Sequence, residues 1–69
     1  MELSEIIDVL TEKRIELGIR QDVLAEKSGI QHATLARLEC HLGKPQFETI
    51  AKIAKNLGYD IVLIPKEHK

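Results

Sequence analysis

Only one cysteine, Cys40, occurs in the sequence, so no disulfide can form within the chain. Such sparing use fits a reducing compartment, and a cytoplasmic location is expected. There is no apolar run of the roughly 20 residues that crossing a bilayer takes. The opening MELSEII has neither the basic start nor the apolar stretch of a secretory signal. No membrane is therefore expected as a partner. Aromatic residues are almost missing: tryptophan is absent, and Phe47 and Tyr59 stand alone. Four short helices would then have little core. A chain of this size buries only about 60% of its unfolded surface, and small domains commonly draw stability from a partner chain. Reactive groups are also scarce. Cys40-His41, with His32 or His68, is the nearest approach to a thiol site or a zinc site. Structural zinc takes four ligands, usually in paired short spacings, and no second pair exists. No enzyme, metal or cofactor is expected, and Cys40 reads as a small residue near a helix end.

An excess of positive charge is missing too. Ten Lys/Arg face eleven Asp/Glu, a net charge of −1, whereas nucleic-acid-binding domains are usually basic. The distribution is less even than the sum. Residues 1–19 carry Glu2, Glu5, Asp8, Glu12 and Glu16 against Lys13 and Arg14. Residues 20–58 reverse this, with Arg20, Lys27, Arg37, Lys44, Lys52 and Lys55 against four acids. The tail balances Asp60 and Glu67 with Lys66 and Lys69. Phosphate contacts are local, so the basic middle matters more than the total. An ordinary solvated surface would look the same.

What is present is helical periodicity punctuated by glycine. Ser4 is a candidate cap for a first helix, with Glu5 and Asp8 suited to its positive end. Ile6, Leu10 and Leu17, joined by Ile7 and Arg14, share one face, and Gly18 stops the helix. A second helix is expected over 21–27, ending at Ser28-Gly29. A third is expected over 32–39, with Leu35 and Leu38 facing inward. Gly43 and Pro45 break the chain. Phe47, Ile50, Ile53, Ala54 and Leu57 then form an apolar stripe on a fourth helix, closed by Gly58.

After Gly58 the pattern changes. Ile61, Val62, Leu63 and Ile64 form a mostly β-branched run ending at Pro65, too short for a helix and typical of a strand. A lone strand leaves its backbone groups unpaired. Pairing with the same strand of a second copy across a twofold axis solves that. The alternative is an extended tail lying on the core.

Helices two and three meet at Lys27-Ser28-Gly29-Ile30, a tight turn of the kind that joins a helix-turn-helix unit. Ala25 is small enough for a close crossing, and Gly29 tolerates positive φ. Leu35 and Leu38 point back, leaving His32, Ala33, Ala36 and Arg37 outward.

The stretch RIELGIRQDVLAEKSGIQHATLARLE, followed by PQFETIAKIAKNLG, resembles the phage-repressor (Cro/C1, or XRE) helix-turn-helix family. The likeness rests on Gln21, Leu24-Ala25, Gly29, Thr34-Leu35, Arg37-Leu38-Glu39, Pro45 and the ending Ile-Ala-Lys-Asn-Leu-Gly. It covers residues 13–58, about two-thirds of the chain. The resemblance implies a mainly α fold, a four-helix lambda-repressor-like domain over residues 1–58. Residues 59–69 would be a dimerisation strand and tail, with Ile61, Val62, Leu63 and Ile64 pairing across a homodimer. It implies binding to double-stranded DNA, as a repressor on a palindromic operator.

Residue by residue, the resemblance makes Gln21 a phosphate anchor at a positive helix end. Gln31, His32, Ala33, Thr34, Arg37 and Lys44 complete the implied DNA-binding set. Arg37 could fork onto guanine O6 and N7, or contact a phosphate. His32 could meet a base or a phosphate, and Ala33 a thymine methyl. Thr34 and Lys44 are phosphate candidates at the two ends of helix three. Arg14 and Glu39 match positions that form a partly buried, structural ion pair. Departures are visible: Gln31 and Gln46 stand where the family usually has capping serines, and His41 replaces a common glycine. The loop 40–45 is therefore in question, and with it Lys44. Some members of this family are antitoxins of kinase-type toxin pairs, so a toxin protein is a second possible partner.

Overall fold

The computed structural model describes residues 2–66. Four helices follow in order: α1 (Leu3–Glu16), α2 (Gln21–Ser28), α3 (His32–Glu39) and α4 (Phe47–Asn56). No stretch within α1 contains glycine or proline, which lets it run longest. Its cap is Glu2, not the expected Ser4, which lies inside the first turn. The Glu2 backbone N–H donates to Glu5 Oε1 at 2.6 Å, so an acid at N3 serves an otherwise unpaired donor.

Three helices end through glycines in the left-handed region, at Gly18, Gly29 and Gly58. The turn between α2 and α3 is the tightest. Gly29 adopts φ +70°, and the Ile30 N–H returns to the Ala25 carbonyl at 3.0 Å. That closes α2 with the Ala25 and Glu26 carbonyls satisfied and swings α3 across it.

The core is wholly aliphatic: Ile7, Leu10, Leu24, Ala25, Leu35, Leu38, Ile50, Ile53, Ala54 and Leu57. Each fully buried leucine or isoleucine contributes about 1.5–3 kcal/mol. α2 packs on both α3 and α4, while α1 lies against α3 and α4. Two residues assigned to the inner stripes are outside. Leu17 is 51% exposed, because it caps α1 and the chain turns away there; Ile19 packs on the core in its place. Phe47 is 66% exposed, because it opens α4 one turn before the buried stripe begins at Ile50. Neither aromatic belongs to the core, since Tyr59 is also exposed.

The tail leaves α4 at Gly58, with the Tyr59 N–H donating to the Ala54 carbonyl at 2.9 Å. Ile61 packs partly against the core, but Val62, Leu63 and Ile64 are exposed. Residues 60–66 pair with no strand of their own chain, which supplies none among the described residues. The proposed tail unit, 59–69, lies partly outside the described residues, as does His68.

Candidate nucleic-acid interface

α3 is fixed from behind and bare in front. Leu35 and Leu38 anchor it in the core, and Gln31, His32, Ala33, Thr34 and Arg37 stand exposed on its outer side. This division follows from the sequence order HATLARLE, in which the two leucines sit three apart. Cys40 is exposed just past its end.

The N-terminal end of α3 is tied to the interior through a chain of hydrogen bonds. Arg14 Nε donates to Glu39 Oε2 at 2.7 Å and Nη2 to Oε1 at 2.9 Å, a two-pronged ion pair. Both side chains are largely buried, at 13% and 8% exposure. Arg14 Nη1 also donates to the Ile19 carbonyl at 2.7 Å. Glu39 Oε1 accepts a further bond from Gln21 Nε2 at 2.7 Å. A carboxylate only accepts, so the Gln21 amide must present its nitrogen to Glu39 and its oxygen outward. That oxygen lies 3.1 Å from His32 Nε2, which therefore carries the proton and donates. One carboxylate in the interior thus orients the first residues of both α2 and α3. Sequence reasoning treated Gln21, His32 and the ion pair as separate; it missed their connection, because it joins residues up to 25 positions apart.

Arg37 and Lys44 border one cleft, together with Thr34, Gln46 and Thr49. Among the described residues, no carboxylate lies within ion-pair distance of either cation. The guanidinium lies over Gly43, where a β-carbon would come within 3.3 Å of Nη2. Gly43 is at φ +74°, so close approach and backbone shape both call for glycine there. Thr49, in the first turn of α4, was not singled out from sequence; Gln46, read there only as a poor cap, is the N-cap residue of that helix.

His41 takes φ +61°, a left-handed conformation in a residue other than glycine. Its Nε2 lies 2.8 Å from Asp8 Oδ1, which ties the loop after α3 to α1. At the start of α2, Arg20 Nε donates to Asp22 Oδ1 at 3.1 Å. The hydrogen bond from Arg20 is the main reason that the Asp22 carboxyl sits below its usual range. Arg20 is thereby partly neutralised, which leaves Arg37 and Lys44 as cations beside α3 with no ion-pair partner among the described residues. No helix among the described residues is long and apolar enough to cross a membrane.

Comparison with known proteins agrees with this arrangement. Residues 10–64 match the family model described as helix-turn-helix. An uncharacterized HTH-type transcriptional regulator of Haemophilus influenzae is 35% identical over 60 residues, or 87% of this chain. The chain spans 61% of that relative's length. Among solved structures, one from a toxin–antitoxin module of Streptococcus pneumoniae superposes with a TM-score of 0.75 at 36% identity. The match covers 91% of this chain and 69% of that one. Fold, turn geometry and sequence agree: the chain belongs to the helix-turn-helix family of the Cro/C1 (XRE) type.

Proposed function

We propose that this protein is a sequence-specific transcriptional repressor that binds double-stranded DNA as a homodimer on a palindromic operator. The observation that carries this reading is the bare outer side of α3, held rigidly from behind and flanked by the cations Arg37 and Lys44. A helix of this kind fits the major groove with its N-terminal residues at the base edges. Arg37 reads guanine, His32 and Ala33 meet neighbouring bases, and Thr34, Gln31 and Lys44 contact the backbone. Gln21 keeps one amide hydrogen beyond its bond to Glu39, and offers it to a phosphate at the α2 N-terminus. Arg14 and Glu39 act structurally, behind the interface. Residues 61–64 join two copies as a two-stranded ribbon, which sets the spacing of the recognition helices near the roughly 34 Å between successive major grooves.

Selection of bound duplexes from a random pool tests this directly. An inverted repeat with half-sites about one helical turn apart is expected. Recovery of no shared sequence would overturn the reading.

The likeness to a chain of a toxin–antitoxin module favours a second biological role, in which the same protein neutralises a partner toxin and represses its own operon. Co-purification with the product of an adjacent gene, and rescue of growth when that gene is induced, would establish it. An adjacent product that neither binds nor inhibits growth would reject it.

A further inference from the structure

The tail and α1 flank an apolar groove of about 550 Å³ that the described residues leave empty. Its walls are Ile6 and Val9 of α1 on one side and Tyr59, Ile61, Val62 and Ile64 on the other, with Asp60 also at its border. Leu63 does not border it and is 96% exposed. Val62 and Ile64 thus border the groove and Leu63, between them, faces away, as alternation along an extended segment gives for these three residues.

The tail is also charged in a self-complementary way. Asp60 opens it and Lys66 closes it, with Leu63 midway. Parallel pairing of two tails would set like charges side by side, whereas antiparallel pairing sets Asp60 against Lys66. Opposite charges facing across a strand pair stabilise it and like charges destabilise it. Pro65 adds a constraint, because it has no N–H to give a ladder. Hydrogen-bonded and non-hydrogen-bonded pairs alternate along antiparallel strands. With Leu63 on the axis as a non-hydrogen-bonded pair, residues 60, 62, 64 and 66 carry the ladder. Pro65 then falls opposite Ile61, where no N–H is needed.

Resting on the homodimer reading above, we propose that two tails pair antiparallel with Leu63 on the twofold axis. Val62 and Ile64 of the second copy then close the Ile6–Val9 groove. A twofold axis perpendicular to the ribbon keeps equivalent residues on the same face. Val62 pairs with the partner's Ile64 on the side of the groove, and Leu63 meets the partner's Leu63 on the outer side. α1 is thus part of the interface, beyond the tail alone.

A single-cysteine scan tests the register. Residues 61, 62, 63 and 64 are replaced one at a time by cysteine in the full chain carrying Cys40→Ala, then mildly oxidised. Non-hydrogen-bonded pairs bring Cα atoms to about 4.5 Å, within disulfide reach, so Leu63→Cys is expected to cross-link readily. The other three should cross-link at least tenfold more slowly. Fastest linkage at residue 62 or 64 overturns the register. Val9→Asp, with helicity checked by circular dichroism, should weaken dimerisation at least tenfold. An unchanged dimer overturns the groove contact. A wild-type chain that sediments as a monomer refutes the homodimer reading itself, an outcome distinct from both.

Discussion

Glu39 carries more of the site than any other single residue, because three donors converge on its two oxygens. Glu39→Ala would leave the Arg14 guanidinium in the interior without its partner. Removing one member of a buried pair costs about 3–5 kcal/mol, comparable to the whole stability of a domain this small. Chemical denaturation should show the variant largely unfolded at 25 °C. A loss under 1 kcal/mol would mean that water replaces Glu39 freely. His41 presents the reverse case. A left-handed residue other than glycine costs about 1–2 kcal/mol, and its exposed contact with Asp8 returns only about 0.2–1 kcal/mol. His41→Gly should therefore stabilise the fold by up to about 1 kcal/mol, raising Tm by roughly 4–8 °C. An unchanged or lower Tm would show that the Asp8 contact outweighs the backbone strain.

At the scale of elements, burial periodicity and glycine stops were readable from sequence because both are local. The α3 boundaries follow from Gly29 on one side and Leu35 and Leu38 within. Leu17 and Phe47 fit the same periodicity yet lie outside, since helix ends project past the core and spacing cannot report that. Ser4 yielded to Glu2 as cap because Glu5 could reach back to it. The link from Glu39 through Gln21 to His32 was illegible for another reason: it depends on how α2 and α3 cross. His41 at the position of a common glycine was legible as a departure, but its left-handed backbone and its tie to Asp8 were not. If α3 is the reading element, its contacts combine charge with base recognition. Binding should then be steeply salt-dependent, even at a net charge of −1. A dimer making about 6–10 phosphate contacts loses about 10³–10⁵ in affinity between roughly 50 and 200 mM salt. Fluorescence anisotropy across that range would reveal it. A flat response would speak against DNA binding through this surface.

For the molecule as a whole, the exposed apolar tail is the feature one chain leaves unresolved. Val62, Leu63 and Ile64 are 67%, 96% and 80% exposed, and each forgoes about 1.5–3 kcal/mol by staying in water. Deleting residues 60–69 should yield a monomer of lower Tm and much weaker operator affinity. Sedimentation of the truncated chain as a dimer would move the interface to the helices.

The central claim, that the outer side of α3 reads base sequence, is tested most directly by one comparison. Wild type and Arg37→Ala are titrated against the selected operator and a scrambled duplex at a single salt concentration. Specific binding is expected to exceed non-specific binding by about 10³-fold or more. Arg37→Ala should lower operator affinity by roughly 5–150-fold, corresponding to about 1–3 kcal/mol of lost base discrimination, while barely changing binding to the scrambled duplex. Equal losses on both duplexes would reduce Arg37 to a phosphate contact, and equal wild-type affinities would contradict sequence reading by α3 altogether.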